Sequence, residues 1–342
     1  MIKDLIQKYL WDRQVTTSIL ICAVVTIAMI QFRRNRFDPK EKHCYIGGGS
    51  QGLGLALACL LARKAAHVTI VSRSQKKLEE ALKKIESCRQ STTQKFSALS
   101  YDLSNFESAD AAIEAASKPF DRKVPDYVFC CTGGAAGSLG FFIQLTPDQL
   151  KQSVEMNYWT AVWTAQVAAR RMVQQGVQGS IILTSSVIGF IALPGYTAYT
   201  ATKHAIRGLA ESLRLEFLLY NIKVHCYFPA TIHTPGFEEE QKCKPELTKT
   251  MEGADEGLSP EECARKLVKG LEKGHFMITS DPIGHLFRNS MRGISPISNY
   301  ILDPIFALVA PLAIPIFRMV AERQIKTHIP QHQKEVIAKL RD

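Results

Sequence analysis

"HCYIGGGSQGLGLALACLLAR" spans residues 43–63. It joins a short apolar run, a glycine cluster and a longer apolar stretch with helical spacing, so it reads strand, tight loop, helix. Gly48, Gly52 and Gly54 fit G-x-x-x-G-x-G, one residue longer than the common dinucleotide fingerprint. Glycine lets the chain turn sharply and lets backbone N–H groups close on a pyrophosphate at a helix N-terminus. A glycine cluster means little alone. Between a strand and an apolar helix at the start of a fold, it points to a bound dinucleotide.

Outward from this unit, the same alternation repeats from about residue 42 to 280. Apolar runs "HVTIVS", "KFSALSYD", "DYVFCCT", "GSIILTS", "KVHCYFP" and "HFMIT" read as strands. Between them lie helical stretches such as "SQKKLEEALKKIESC" and "TAYTATKHAIRGLAESLRLEFLL". Strand and helix in turn predict an α/β fold, a Rossmann-type doubly wound parallel sheet in a single catalytic domain over 41–293.

The second strand ends in Ser72 and Arg73, with Lys76 and Lys77 close behind. An acid at this point would bind the ribose 2′-OH of NAD; a guanidinium suits the 2′-phosphate of NADP instead. An exposed arginine would look the same, but the missing acid favours NADPH/NADP as cofactor. Asp102 and Leu103 follow the third strand where an adenine ring could be held. Gly133, in "CTGG" (131–134), would let a cofactor approach the backbone after the fourth strand.

Ser186, Tyr199 and Lys203 are candidates for the chemistry, while Asn157 sits in a helical pattern where most asparagines are simply exposed. Reducing a ketone requires hydride at carbon and a proton at the growing alkoxide. A tyrosine of ordinary pKa, about 10, gives up its proton poorly at neutral pH. A lysine one helical turn away lowers that pKa by charge and can hold the nicotinamide ribose. A serine at a strand end can fix the carbonyl by a hydrogen bond.

With glycine loop, arginine, asparagine, serine and the tyrosine–lysine pair in one order, residues 42–280 resemble the short-chain dehydrogenase/reductase family. The resemblance implies that Asn157, Ser186, Tyr199 and Lys203 form a catalytic tetrad, Asn157 supporting a proton-relay water. It adds Ser50, Gln51, Leu53, Ile232 and Thr234 to the cofactor contacts. It also implies a homo-oligomer, dimer or tetramer, paired through the helices that carry Asn157 and Tyr199. The chain departs from the family pattern at Gly47, at Cys131-Thr132-Gly133 and at Pro229-Ala230, which touches cofactor contacts and spares the catalytic groups. A finer likeness rests on "GGSQGLG" (48–54), Ser72-Arg73 and "TPGFEEEQKCKP" (234–245). It is to the membrane-bound reductases of sphingolipid synthesis. This implies NADPH-dependent reduction of the C3 ketone of a long-chain lipid amino ketone on the cytosolic face of the endoplasmic reticulum. Alternatives are a membrane reductase of 3-ketoacyl-CoA, steroid or retinoid, or a nucleotide-sensing protein without turnover.

Composition fits that setting. The formal charge is +10, yet no basic tract interleaves with aromatics, so a nucleic-acid partner is not expected and a lipid bilayer is. Nine cysteines without metal-binding spacing read as reduced residues in a cytosolic compartment, Cys130 and Cys131 as small hydrophobes, with no metal site. Residues 1–40 read as a membrane anchor. Their uncharged stretch 14–32 would span roughly 28 Å as a helix. Arg33, Arg34, Arg36, Lys40 and Lys42 follow it and place the bulk of the chain in the cytosol; a buried soluble helix is the alternative. Residues 235–257 read as a mobile lid over a strand end, and Glu238 to Glu240 as a possible draw for a substrate ammonium or simply a solvated face. In the tail, 294–342, "PIFALVAPLAIPIF" (304–317) is too short to span and its prolines predict a kinked, interfacial or re-entrant segment, with burial against the fold or in a partner subunit as the alternative.

Overall fold

A computed structural model describes residues 37–253 and 257–332. The predicted anchor at 14–32 lies outside the described residues.

The seven predicted runs form one sheet: β1 (His43–Gly47), β2 (His67–Ser72), β3 (Phe96–Ser100), β4 (Tyr127–Cys130), β5 (Ser180–Thr184), β6 (Lys223–Phe228) and β7 (Met277–Thr279). Their order is β3-β2-β1-β4-β5-β6-β7, and every pairing is parallel. Both faces of the sheet are covered, which explains why its strands are apolar without alternation. Successive side chains still divide by period two. Tyr45, Val128, Leu183, Cys226 and Phe228 enter one core, while Cys44, Ile46, Phe129, Ile182 and Tyr227 enter the other.

The helices of the two layers are α1 (Gly52–Arg63), α2 (Gln75–Glu86), α3 (Phe106–Ser117), α4 (Pro147–Val154), α5 (Thr160–Gln175), α6 (Thr197–Glu216), α7 (Pro235–Cys243), α8 (Glu246–Glu252), α9 (Pro260–Glu272), α10 (Pro282–Ser290) and α11 (Leu302–His332). Most begin where a polar side chain can satisfy a free N–H. Ser74, Asn105, Thr146, Ser259 and Asp281 cap α2, α3, α4, α9 and α10. The chain runs outward from β1 in one direction and from β4 in the other. A crevice is therefore left beyond the carboxyl ends of these two central strands, where ligands bind in folds of this type. The predicted lid segment supplies α7 and α8, tied back to the domain by a parallel bridge between Ile232 and Leu258.

The tail corrects the sequence reading. Leu302–His332 is one continuous helix with Pro311, Pro315 and Pro330 inside it. Its most apolar 18-residue window has a mean hydropathy of 1.9 and is only 6% buried, so neither a broken segment nor burial against the fold describes the helix. At 1.5 Å per residue it runs roughly 45 Å, long and apolar enough to cross a membrane. Each proline costs one backbone hydrogen bond, yet a helix with apolar surroundings tolerates the loss better than one in water. Its first turn is fixed to the domain through buried charge. Asp303, 1% exposed, pairs with Arg288, 3% exposed, and accepts the Ser298 N–H at 2.8 Å.

Candidate active site

A cleft of about 1150 Å³ opens along the crevice between β1 and β4. The end predicted to hold a nucleotide is built by the glycine loop. Gly48 and Gly52 have φ of +83° and +55°, values that favour glycine. A Cβ on Gly54 would sit 2.2 Å from the Gly48 carbonyl oxygen, so the loop folds onto itself only without that atom. The helix it leads into differs from its neighbours. Gln51 at the start of α1 makes no side-chain capping bond, and no acid lies in the first turn. The free N–H groups there suit an anion such as a pyrophosphate. Gln51 is instead turned aside to accept a 2.8 Å hydrogen bond from Lys77 Nζ, and Ser50 Oγ donates to Ser72 Oγ at 2.9 Å.

Ser50, Gln51, Leu53, Ser72, Arg73, Lys77, Asp102, Leu103, Gly133, Ile232 and Thr234 all line this cleft; Lys76 does not. Arg73 is exposed at its rim. Burial works against ionisation of Asp102, but hydrogen bonds from the Ser104 N–H and hydroxyl, with the charge of Arg73, hold its carboxyl below the usual range. A cleft, an open helix N-terminus and a rim cation thus occur together.

At the other end, the extended ends of β4 and β5 meet α6. Ser186 follows β5 and accepts a hydrogen bond from the Ile188 N–H at 3.3 Å. Its hydroxyl donates to the Pro229 carbonyl at 3.5 Å and faces the same cleft as Tyr199. Lys203 is buried, 3% exposed, and donates to the Thr184 carbonyl at 3.1 Å, with its ammonium 5.3 Å from the centre of the Tyr199 ring. Burial pushes the Tyr199 phenol up, Glu240 adds to the rise, and Ser186 opposes it. Burial brings Lys203 down to about 8, against which Cys226, Cys131 and Glu240 act. Burial keeps both cysteines as thiols, and Glu240 is the carboxyl group that also acts on this lysine.

Asn157 lies under the cleft in a π-helical turn, Glu155–Trp159, between α4 and α5. Its amide donates to the Gly134 and Ser153 carbonyls, each at 3.0 Å, and its oxygen accepts the Gly134 N–H at 2.9 Å. Both amide hydrogens are engaged, so any water relay at this turn uses the backbone. The side chain clamps the strand-end loop. Gly133 completes the fit: a Cβ there would sit 2.6 Å from Asn157 Oδ1 and 3.3 Å from Lys203 Nζ.

Sequence reasoning missed the far wall. Tyr196, Met251 and Glu252 line the cleft, as do Ile283 and Phe287 of α10 and Phe317 of α11. Phe287 and Phe317 pack edge to face at 5.4 Å. Of the three consecutive glutamates only Glu240 reaches the cleft; Glu239 pairs with Lys242 at the surface. Cys131 borders the cleft as a free thiol that accepts from Thr184. Among the described residues, no cluster of side chains has metal-binding character.

Known proteins resemble this arrangement. The structure of levodione reductase superposes with a TM-score of 0.61 at 24% identity, covering 68% of this chain and 91% of that one. A short-chain type dehydrogenase/reductase from Mycobacterium ulcerans gives 0.64 at 21% identity over 75% and 96%. Both show the fold. By sequence, a 3-ketodihydrosphingosine reductase of Cryptococcus neoformans is 37% identical over 90% of this chain and 91% of its own. A Schizosaccharomyces pombe fusion protein containing a 3-ketodihydrosphingosine reductase is 40% identical over 83% of this chain and 57% of its own. Residues 42–244 match the short chain dehydrogenase family, which spans the glycine loop, the clamp at Asn157 and the Ser186–Tyr199–Lys203 corner. On that match and that geometry together, the chain belongs to the short-chain dehydrogenase family.

Proposed function

We propose that this protein is a reductase converting the C3 ketone of 3-ketodihydrosphingosine to the alcohol of dihydrosphingosine, with NADPH, at a membrane surface. One observation carries the reading. A single cleft runs from a tyrosine–lysine–serine corner to Phe317, on a helix long and apolar enough to cross a membrane. A long-chain ketone needs such a path, because each methylene buried contributes about 0.8 kcal/mol. The names of relatives aligned over most of the chain support the substrate.

When bound, NADPH supplies the hydride that reaches the carbonyl carbon. The glycine loop and the open start of α1 would hold its pyrophosphate, and Arg73 and Lys77 its 2′-phosphate. Ser186 bonds the substrate oxygen, and Tyr199 gives that oxygen its proton as the alkoxide forms. Lys203, charged below about pH 8, lowers the cost of the tyrosinate left behind. Asn157 keeps the loop at Gly133 and Gly134 in place. The reading also includes a catalytic domain on the cytosolic side of the endoplasmic reticulum, and the family likeness supports a homo-oligomer.

The test is NADPH oxidation by full-length protein in detergent, with 3-ketodihydrosphingosine and, separately, a 3-ketoacyl-CoA. Turnover of the sphingoid ketone, faster with NADPH than NADH, is expected. Turnover of the acyl-CoA alone would overturn the substrate.

A further inference from the structure

Glu240 is a carboxylate in an unusual place. It projects from α7 into the catalytic cleft, where its Oε1 accepts the Ala135 N–H at 3.1 Å. Its neighbour Glu252 has a partner: Lys244, whose side chain is wholly buried, pairs with it at 2.6 Å and lies near the Phe237 and Tyr196 rings. Among the described residues, Glu240 has no ion-pair partner of its own. Burial raises the Glu240 carboxyl and the charge of Glu252 adds to the rise, while the Ala135 hydrogen bond and the charges of Lys244 and Lys203 oppose it.

For a reductase this placement is costly. When Glu240 is ionised, its charge acts on Tyr199 and makes that proton harder to give up. A neutral ketone would leave that penalty in force. A ketone with a cation beside the carbonyl would remove it, and would also give the carboxylate its missing partner.

We propose that Glu240 receives the ammonium group next to the substrate ketone and so selects amino ketones over neutral ketones of equal chain length. This rests on the functional reading above, whose substrate carries an amine one carbon from the carbonyl. Of the three acids in "EEE", only Glu240 takes this role. Glu239 lies at the surface in a pair with Lys242 and serves as the solvated control.

The experiment compares 3-ketodihydrosphingosine with the analogue bearing hydrogen in place of the amine, using full-length wild type, Glu240→Gln, Glu240→Asp and Glu239→Gln, with NADPH affinity measured for each by fluorescence. Wild type is expected to prefer the amine. Glu240→Gln should lower kcat/KM for the amine about ten- to hundredfold, leave or improve the neutral ketone, and keep NADPH affinity. Glu240→Asp should retain part of the preference, and Glu239→Gln all of it. A Glu240→Gln protein that binds NADPH yet keeps the preference, or loses both substrates equally, would overturn the assignment. So would loss of NADPH binding in both Glu240 variants, which would make the residue structural. If wild type reduces neither sphingoid compound, the functional reading fails instead.

Discussion

The two ends of the cleft are made in opposite ways. The nucleotide end comes from consecutive chain: the loop at 48–54, Ser72 and Arg73 at the next strand end, and Asp102 at the third. The substrate end gathers Tyr199 and Lys203 from α6, Glu240 from α7, Glu252 from α8, Ile283 from α10 and Phe317 from α11. The first is held by backbone packing against backbone, the second by side chains that meet only after the chain has folded. A cofactor shared by many enzymes needs a fixed cradle, whereas a substrate site can be redesigned through the elements placed around the same sheet.

If this division is right, damage at one end should spare the other. The largest effect should come from Asp303→Ala, which leaves Arg288 buried without its carboxylate. About 3–5 kcal/mol of stability should be lost in thermal or denaturant unfolding, with NADPH affinity kept in the protein that remains folded. Gly54→Ala should act at the opposite end. Its Cβ would meet the Gly48 carbonyl at 2.2 Å, for a cost of about 1–3 kcal/mol or more and loss of NADPH binding; Gly134→Ala, with open space around it, should change little. Arg73→Glu should raise the KM for NADPH about ten- to hundredfold without weakening NADH, as initial rates with each cofactor would show.

The smallest effect concerns pH. Burial has lowered Lys203 to about 8 from 10.5. In the proposed mechanism its charged form assists Tyr199, so ketone reduction should fall as pH rises through about 8. Between about 8 and 10.5 the unfolded chain would hold the proton that the folded chain has lost, so this group makes stability rise with pH in that window. A rate profile and a melting series over pH 7–10 would separate the two, since they move in opposite directions.

The same contrast explains what the sequence could tell. The strands, the glycine loop and the tyrosine–lysine spacing are local patterns, each a consequence of period, turn or helix pitch, and all are present in the fold. Asn157 was legible as a residue and not as a clamp, because the π-helical turn that turns it toward Gly134 leaves no mark in composition. The tail misled for a physical reason. Three prolines argue for a break in water, but the rule weakens where an apolar helix has few competing hydrogen-bond partners. Glu240 could not be separated from Glu238 and Glu239 by sequence, since the helix phase of α7 decides which acid faces the cleft.

In the proposed mechanism the Ser186–Tyr199–Lys203 corner does chemistry on a ketone held beside NADPH. Its most direct test is turnover of 3-ketodihydrosphingosine by full-length Tyr199→Phe, with NADPH binding measured on the same preparation. A fall of about 10²- to 10⁴-fold in kcat with cofactor affinity intact is predicted. Undiminished turnover in a variant that binds NADPH normally would contradict it.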